Sequence, residues 1–225
     1  MDTIIYIDGY NLFYGCLKHT SFKWLDLHKL FAEQIVRVQN PIANVTQIKF
    51  FTADIKAKIA SQGQVAMQAQ QSYHRALVKI YPSKIQLIKG FYVLERAKLP
   101  KFQIPPDKNE RVDVWRLEEK ETDVNIAITA YRDVVKNRAQ QIIFVSNDSD
   151  LVPALRAIRE DFGRQVTIGV VIPIREHGNH RPANAKLSEY ANWTRRYITD
   201  EELSSSQLPD LIGTEKKPIK KPDYW

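Results

Sequence analysis

The chain has 225 residues, 33 Lys or Arg against 26 Asp or Glu, a net charge of +7 and one cysteine, Cys16. That length suits one α/β domain with extensions. One thiol allows neither an internal disulfide nor a Cys-based zinc site, and no apolar run approaches the roughly 20 residues of a membrane span. With Met1-Asp2-Thr3 leading straight into an apolar run, a cytoplasmic location is expected, with no membrane partner.

In chain order, Thr3-Ile-Ile-Tyr-Ile-Asp8 predicts a first strand ending in a carboxylate, with a tight turn at Gly9 and a helix carrying Leu12, Phe13 and Leu17. Leu25 to Val38 has helical apolar spacing and closes before Pro41. Val45 to Asp54 predicts the second strand. Lys56 to Ile80 predicts a long, Gln-rich helix, whose polar face is either solvated or set against phosphates. Lys84 to Val93 predicts the third strand, with a bend or bulge at Gly90. Leu94 to Asn109 carries Pro100, Pro105, Pro106 and four basic residues. It predicts an exposed projection, a loop or a basic hairpin with Arg111 to Leu117.

Val124, Ile126, Ile128, Tyr131, Val134 and Val135 mark the next helix, with Thr122 or Asp123 placed to start it. Ile142 to Val145 is the fourth strand. It breaks off at Ser146-Asn-Asp-Ser-Asp150, where helical spacing of Leu151, Leu155 and Ile158 takes over. Gln165 to Pro173 predicts the fifth strand, and Leu187 to Ile198 a short closing helix or strand. These elements place a domain over residues 1–198. Thr199 to Trp225 carries four Lys, six Asp or Glu and three Pro, which predicts a mobile tail and leaves +9 on the body.

Alternating strands and helices predict a three-layer α/β/α fold around a mainly parallel sheet. If the five predicted strands stand in the order 3-2-1-4-5, Asp8 and Asp148 face each other where the winding reverses, which is the ligand crevice of such sheets. Asp123 and Asp150 can reach the same edge. Each acid also has a plainer reading as a helix N-cap. Clustered carboxylates repel and take up protons unless a cation neutralises them. Oxygen-only ligands favour Mg²⁺ or Mn²⁺, and a basic body suits a polyanion.

Three blocks, Ile7-Asp-Gly-Tyr-Asn11, Glu119-Lys-Glu-Thr-Asp-Val124 and Val145-Ser-Asn-Asp-Ser-Asp-Leu-Val-Pro153, make the chain resemble the NYN domains. The branch it resembles is the LabA-like or DUF88 group of the PIN-like nucleases. The resemblance spans residues 3 to 173 and implies a PIN-like Rossmannoid fold and metal-dependent hydrolysis of RNA by Mg²⁺ or Mn²⁺. Its acidic positions fall on Asp8, Asp123, Asp148 and Asp150, with Asn11 as polar partner of the first acid. Ser146, Lys120, Arg175 and Arg181 are then candidates to contact the substrate. Many relatives carry Gly where Asn147 and Glu121 stand here, and an Ala-Asp pair where this chain has Ala191-Asn192-Trp193.

The rival reading is an RNA-binding or scaffolding protein with a degenerate site, and a homo-oligomer stays open in either case. A small-molecule phosphohydrolase would need Asp-x-Asp after the first strand, where Asp8-Gly-Tyr stands. No Gly-x-Gly-x-x-Gly follows it for a dinucleotide, and His177-x-x-His180 offers zinc only two ligands.

Overall fold

The computed structural model describes residues 1–58, 60–177 and 183–225. The sheet has seven strands: β1 (Asp2–Asp8), β2 (Asn44–Ala53), β3 (Ile85–Pro100), β4 (Arg111–Lys120), β5 (Gln141–Val145), β6 (Thr167–Val171) and β7 (Trp193–Arg195). Their order is β4-β3-β2-β1-β5-β6-β7. The expected 3-2-1-4-5 core is present as β3-β2-β1-β5-β6, all parallel. Two edge strands extend it: β4 pairs antiparallel with β3, and β7 pairs parallel with β6.

Both faces of the sheet are buried, so its central strands are unbroken apolar runs. Side chains of a strand alternate between faces. Ile5, Ile7, Phe50, Ile143 and Val145 therefore enter one core, while Ile4, Tyr6, Phe51, Ile142 and Phe144 enter the other. The first core is covered by a wide-turned helix His28–Val36, which leads into α2 (Arg37–Gln39), and by α3 (Gly63–Ile80). The second is covered by α4 (Thr122–Val135) and α5 (Val152–Phe162). Each fully buried Ile or Phe contributes roughly 1.5–3 kcal/mol, so the two cores hold the middle strands from both sides. The helix following β1 lies on one face and that preceding β5 on the other, which puts the reversal of winding between Asp8 and Ser146.

The predicted long helix begins seven residues late, at Gly63, because that glycine has φ +51 and breaks any helix entering from Lys56. Gly90 is the point where β3 leaves β2 and begins to pair with β4. A Cβ there would stand 2.5 Å from the Lys120 carbonyl oxygen, so only glycine allows the approach. The hairpin is longer than expected and leaves Phe102, Ile104 and Trp115 largely exposed.

Residues 199–225, expected as a mobile tail, are instead folded against the body. Thr199 and Glu202 form a capping box on α7 (Asp200–Ser205). Strands β8 (Leu211–Ile212) and β9 (Ile219–Lys220) pair antiparallel. Leu203, Leu208, Ile212 and Ile219 join the first core, and Trp225 packs edge-on to Trp24 and Tyr73.

Candidate functional site

Asp8, the last residue of β1, is 2% exposed. It caps the short helix α1 (Gly9–Leu12), accepting at Oδ1 from the Asn11 backbone N–H at 2.9 Å. Its Oδ2 accepts from Asn11 Nδ2 at 2.6 Å and from the Ser146 hydroxyl at 2.9 Å. Burial raises its pKa, the bonds from Asn11 and Ser146 work against that, and Asp148 adds to the rise. Across the switch point the Ser146 oxygen also accepts from the Asp148 N–H at 3.0 Å. Asp148 in turn caps the turn Ser149–Leu151, accepting from the Asp150 N–H at 3.0 Å. The N-cap reading therefore holds for Asp8 and Asp148, and both carboxylates still face a common space.

That space is a cavity of about 270 Å³ lined by Asp8, Asn11, Glu119, Glu121, Asp123 and Asp148, closed laterally by Tyr10, Tyr14 and Tyr92. Among the described residues no Lys, Arg or His lines it. Asp123 lies in the first turn of α4, whose N-cap is Glu121 rather than Thr122 or Asp123. Burial, then Asp8, Asp148, Glu119 and Asp150, push its pKa up to about 6. Glu119, to which the sequence reading gave no role, is half-buried and accepts from the Thr122 hydroxyl. Burial is the main cause of its raised pKa, opposed by Thr122, with Asp8 adding to the rise. Strand alternation in β4 turns Glu119 inward while Glu118 and Lys120 pair with each other outside. That alternation is the signal that could have found it.

Other expected contacts lie elsewhere. Asp150 is exposed and contributes its backbone N–H to Asp148 rather than lining the cavity. Ser146 is buried and holds Asp8 and the Asp148 backbone, so it positions the acids. Lys120 is engaged outside with Glu118. Arg175 donates from Nε to Asp200 at 2.7 Å and does not reach the cavity. Arg181 and His180 lie outside the described residues. Asn147 accepts from the Asn184 N–H at 2.8 Å, tying the loop to α6 (Ala185–Ser188) and not to the cavity. Asn192 is a staple, its Oδ1 accepting from Ile168 N and Arg159 at 2.8 Å each.

Two substitutions test this electrostatics. Glu121 has φ 74, a left-handed conformation that costs a non-glycine residue about 1–2 kcal/mol. Glu121→Gly is therefore expected to stabilise the protein by about 1 kcal/mol in a urea melt, after the glycine's greater unfolded-state freedom is subtracted. An unchanged or lower midpoint would show that Glu121 is not strained. Asp123, raised from 3.8 to about 6, favours folding while protonated. That contribution is complete below about pH 4 and is lost as pH rises through 6. Asp123→Asn is expected to raise the melting temperature at pH 8 and leave it unchanged at pH 4. The gain is about 1 kcal/mol, well under the full linkage value because the side chain is half-exposed to water. Equal effects at both pH values would contradict the raised pKa.

Reversal of winding at the acidic edge, with helices on both faces, defines a PIN-like α/β/α protein. The chain belongs to the NYN domain family, a PIN-like nuclease family, whose model matches residues 2–191. It is similar to 6-hydroxy-3-succinoylpyridine 3-monooxygenase HspA of Pseudomonas putida, with 40% identity over 240 residues, 99% of this chain and 75% of that protein. A crystal structure of a protein of unknown function from Vibrio parahaemolyticus is similar at a TM-score of 0.51 and 15% identity. The match covers 89% of this chain and 94% of that one, and it bears on the fold alone. No helix among the described residues is long and apolar enough to cross a membrane.

Proposed function

We propose that this chain is a divalent-metal-dependent nuclease that hydrolyses RNA phosphodiester bonds at the carboxylate cavity. One observation carries the reading: Asp8, Glu119, Glu121, Asp123 and Asp148 converge on one cavity that, among the described residues, has no cationic lining. The donors are all oxygen, which suits Mg²⁺ or Mn²⁺. Among the described residues no three acidic or His or Cys side chains stand close enough to chelate an ion together. That suits a cation of this kind, which takes one or two carboxylates and completes its shell with water and substrate phosphate. Asp8 and Asp148 would hold it, with Asp123 beside them on the same cavity, and it would supply Lewis-acid activation of water and offset phosphate charge.

The chain's own residues prepare that chemistry. Asn11 and Ser146 fix both oxygens of Asp8, and Ser146 fixes the Asp148 backbone. Asp123, poised near 6, can accept a proton from an attacking water close to neutral pH. The positive body draws in the polyanion. A groove along α3 carrying Arg75, Lys79, Lys216 and Lys217 offers phosphates a track apart from the acids.

Incubation of generic single-stranded RNA with the protein and Mn²⁺ or Mg²⁺ is expected to give cleavage that EDTA abolishes. Millimolar Mn²⁺ is expected to raise the melting temperature, since an ion bound only by the folded state stabilises it by mass action. No cleavage and no shift in melting would overturn the proposal.

The 40% relative favours a second reading, oxygenation of a hydroxypyridine ring. It predicts oxygen uptake on adding 6-hydroxy-3-succinoylpyridine with a two-electron donor, and no metal-dependent loss of RNA.

A further inference from the structure

Beside the carboxylate cavity lies a second one of about 180 Å³, between α1, β2, α3 and Trp225. The two share Tyr10, Tyr14, Tyr92 and Glu119, so they meet at that wall. Its inner walls are the rings of Phe50, Tyr73 and Trp225. The volume is below the roughly 300–1,000 Å³ of pockets for drug-sized ligands, so one ring system is what it can hold.

Polar groups inside divide into two kinds. Gln70 is committed, donating to the Ala53 carbonyl at 3.0 Å and accepting from the Ile55 N–H at 2.8 Å. The Tyr73 hydroxyl donates to the Leu25 carbonyl at 2.8 Å. His74 and Thr52, only 6% and 7% exposed, line the same cavity and have no hydrogen-bond partner among the described residues. Neither side chain's polar atoms are among those sealed from water without a partner, so they stay open to a molecule that enters the cavity. Burial, aided by Lys89 and opposed by Asp54, lowers the pKa of His74 to about 4. The ring is therefore neutral at physiological pH, with one nitrogen to donate and one to accept.

We propose that this cavity takes one planar nitrogen heteroaromatic ring, stacked on its aromatic walls and hydrogen-bonded by His74 and Thr52. The rest of the ligand reaches the carboxylate cavity past Tyr10 and Tyr14. Aromatic walls supply stacking, as they do for bases in single-strand binders. Two polar side chains open to the cavity, His74 and Thr52, supply the preference for a ring with its own donor and acceptor. The ring's source is either a nucleobase of the strand cut at the crevice, which rests on the nuclease reading, or a free hydroxypyridine.

The test is isothermal titration calorimetry of the full chain in EDTA with uridine, adenosine and 2-hydroxypyridine, so that the pocket is read apart from metal chemistry. At least one ring is expected to bind. His74→Leu is expected to weaken binding about tenfold, as loss of one hydrogen bond does. Thr52→Val, a milder change in a strand, is expected to weaken it several-fold and serves if His74→Leu fails to fold. Absence of binding by all three rings, or wild-type affinity in the folded variants, overturns the proposal. Displacement of the bound ring by a short oligoribonucleotide assigns the pocket to a nucleobase. An oligoribonucleotide that binds without displacing it assigns the pocket to a free ring. Ring binding without RNA cleavage would sink the nuclease reading alone, and cleavage without ring binding would sink the pocket alone.

Discussion

Asp8→Asn is expected to reduce metal-dependent RNA cleavage to background while the protein stays folded and still binds RNA. The substitution keeps size and shape at a position 2% exposed, so no void opens in the sheet. It removes the charge that a cation would pair with, and it presents an amide NH₂ where Asn11 and Ser146 both donate. The stability effects oppose each other. Losing a buried carboxylate beside Asp148 relieves desolvation and repulsion, whereas an amide facing donors forfeits about one hydrogen bond, roughly 1 kcal/mol. A net change within about 1 kcal/mol is expected by urea melt. Cleavage assays with equal concentrations of both proteins decide the matter. A variant that cleaves at the wild-type rate would remove the reaction from this cavity.

How much of this was legible in sequence depends on whether the information is local. β1 and β5 are short apolar runs ending in polar residues, and a strand buried on both faces has no other pattern to show. From these the switch point, and with it the meeting of Asp8 and Asp148, follows by topology. β4 was not legible up to Lys120. The hairpin projects beyond the body with solvent on both sides, so its apolar residues do not show which face turns inward, and only the two-residue period of the strand, once its extent to Lys120 is known, places Glu119 opposite Glu118 and Lys120. Residues 199–225 were misread for a related reason. Leu203, Leu208, Ile212 and Ile219 are separate anchors without a period, set among Ser, Pro and Lys, and each docks individually in the core. Least legible was Lys49. A lysine in a strand reads as solvent-facing, and its partner Asp133 lies 84 residues on.

Asp133→Ala is expected to cost about 3–5 kcal/mol, the largest stability change foreseen for any single substitution here. Asp133, 1% exposed in α4, pairs with Lys49 of β2, itself 4% exposed, and accepts from the Tyr6 hydroxyl of β1 at 2.8 Å. Arg138 reaches its other oxygen at 3.1 Å from a largely exposed position. Alanine leaves a buried ammonium uncompensated and a buried hydroxyl without acceptor, which is far costlier than losing the pair's own attraction. Against a total stability of roughly 5–15 kcal/mol such a loss is severe, and at about 2–4 °C per kcal/mol for a chain of this size it lowers the melting temperature by on the order of 10 °C. The same helix carries Asp123 in its first turn, and Asp133 pins that helix to β1 and β2. Cleavage is therefore expected to fall with stability. The triple variant Tyr6→Phe, Lys49→Met, Asp133→Leu removes the three buried polar members together and is expected to recover most of the loss, since an apolar set of similar volume leaves no buried group unpaired and the largely exposed Arg138 turns to water. Denaturant melts of the single and triple variants make the comparison. A loss under about 1 kcal/mol in Asp133→Ala would mean that water reaches Lys49, and with it the buried network would cease to explain how α4 holds Asp123 at the cavity.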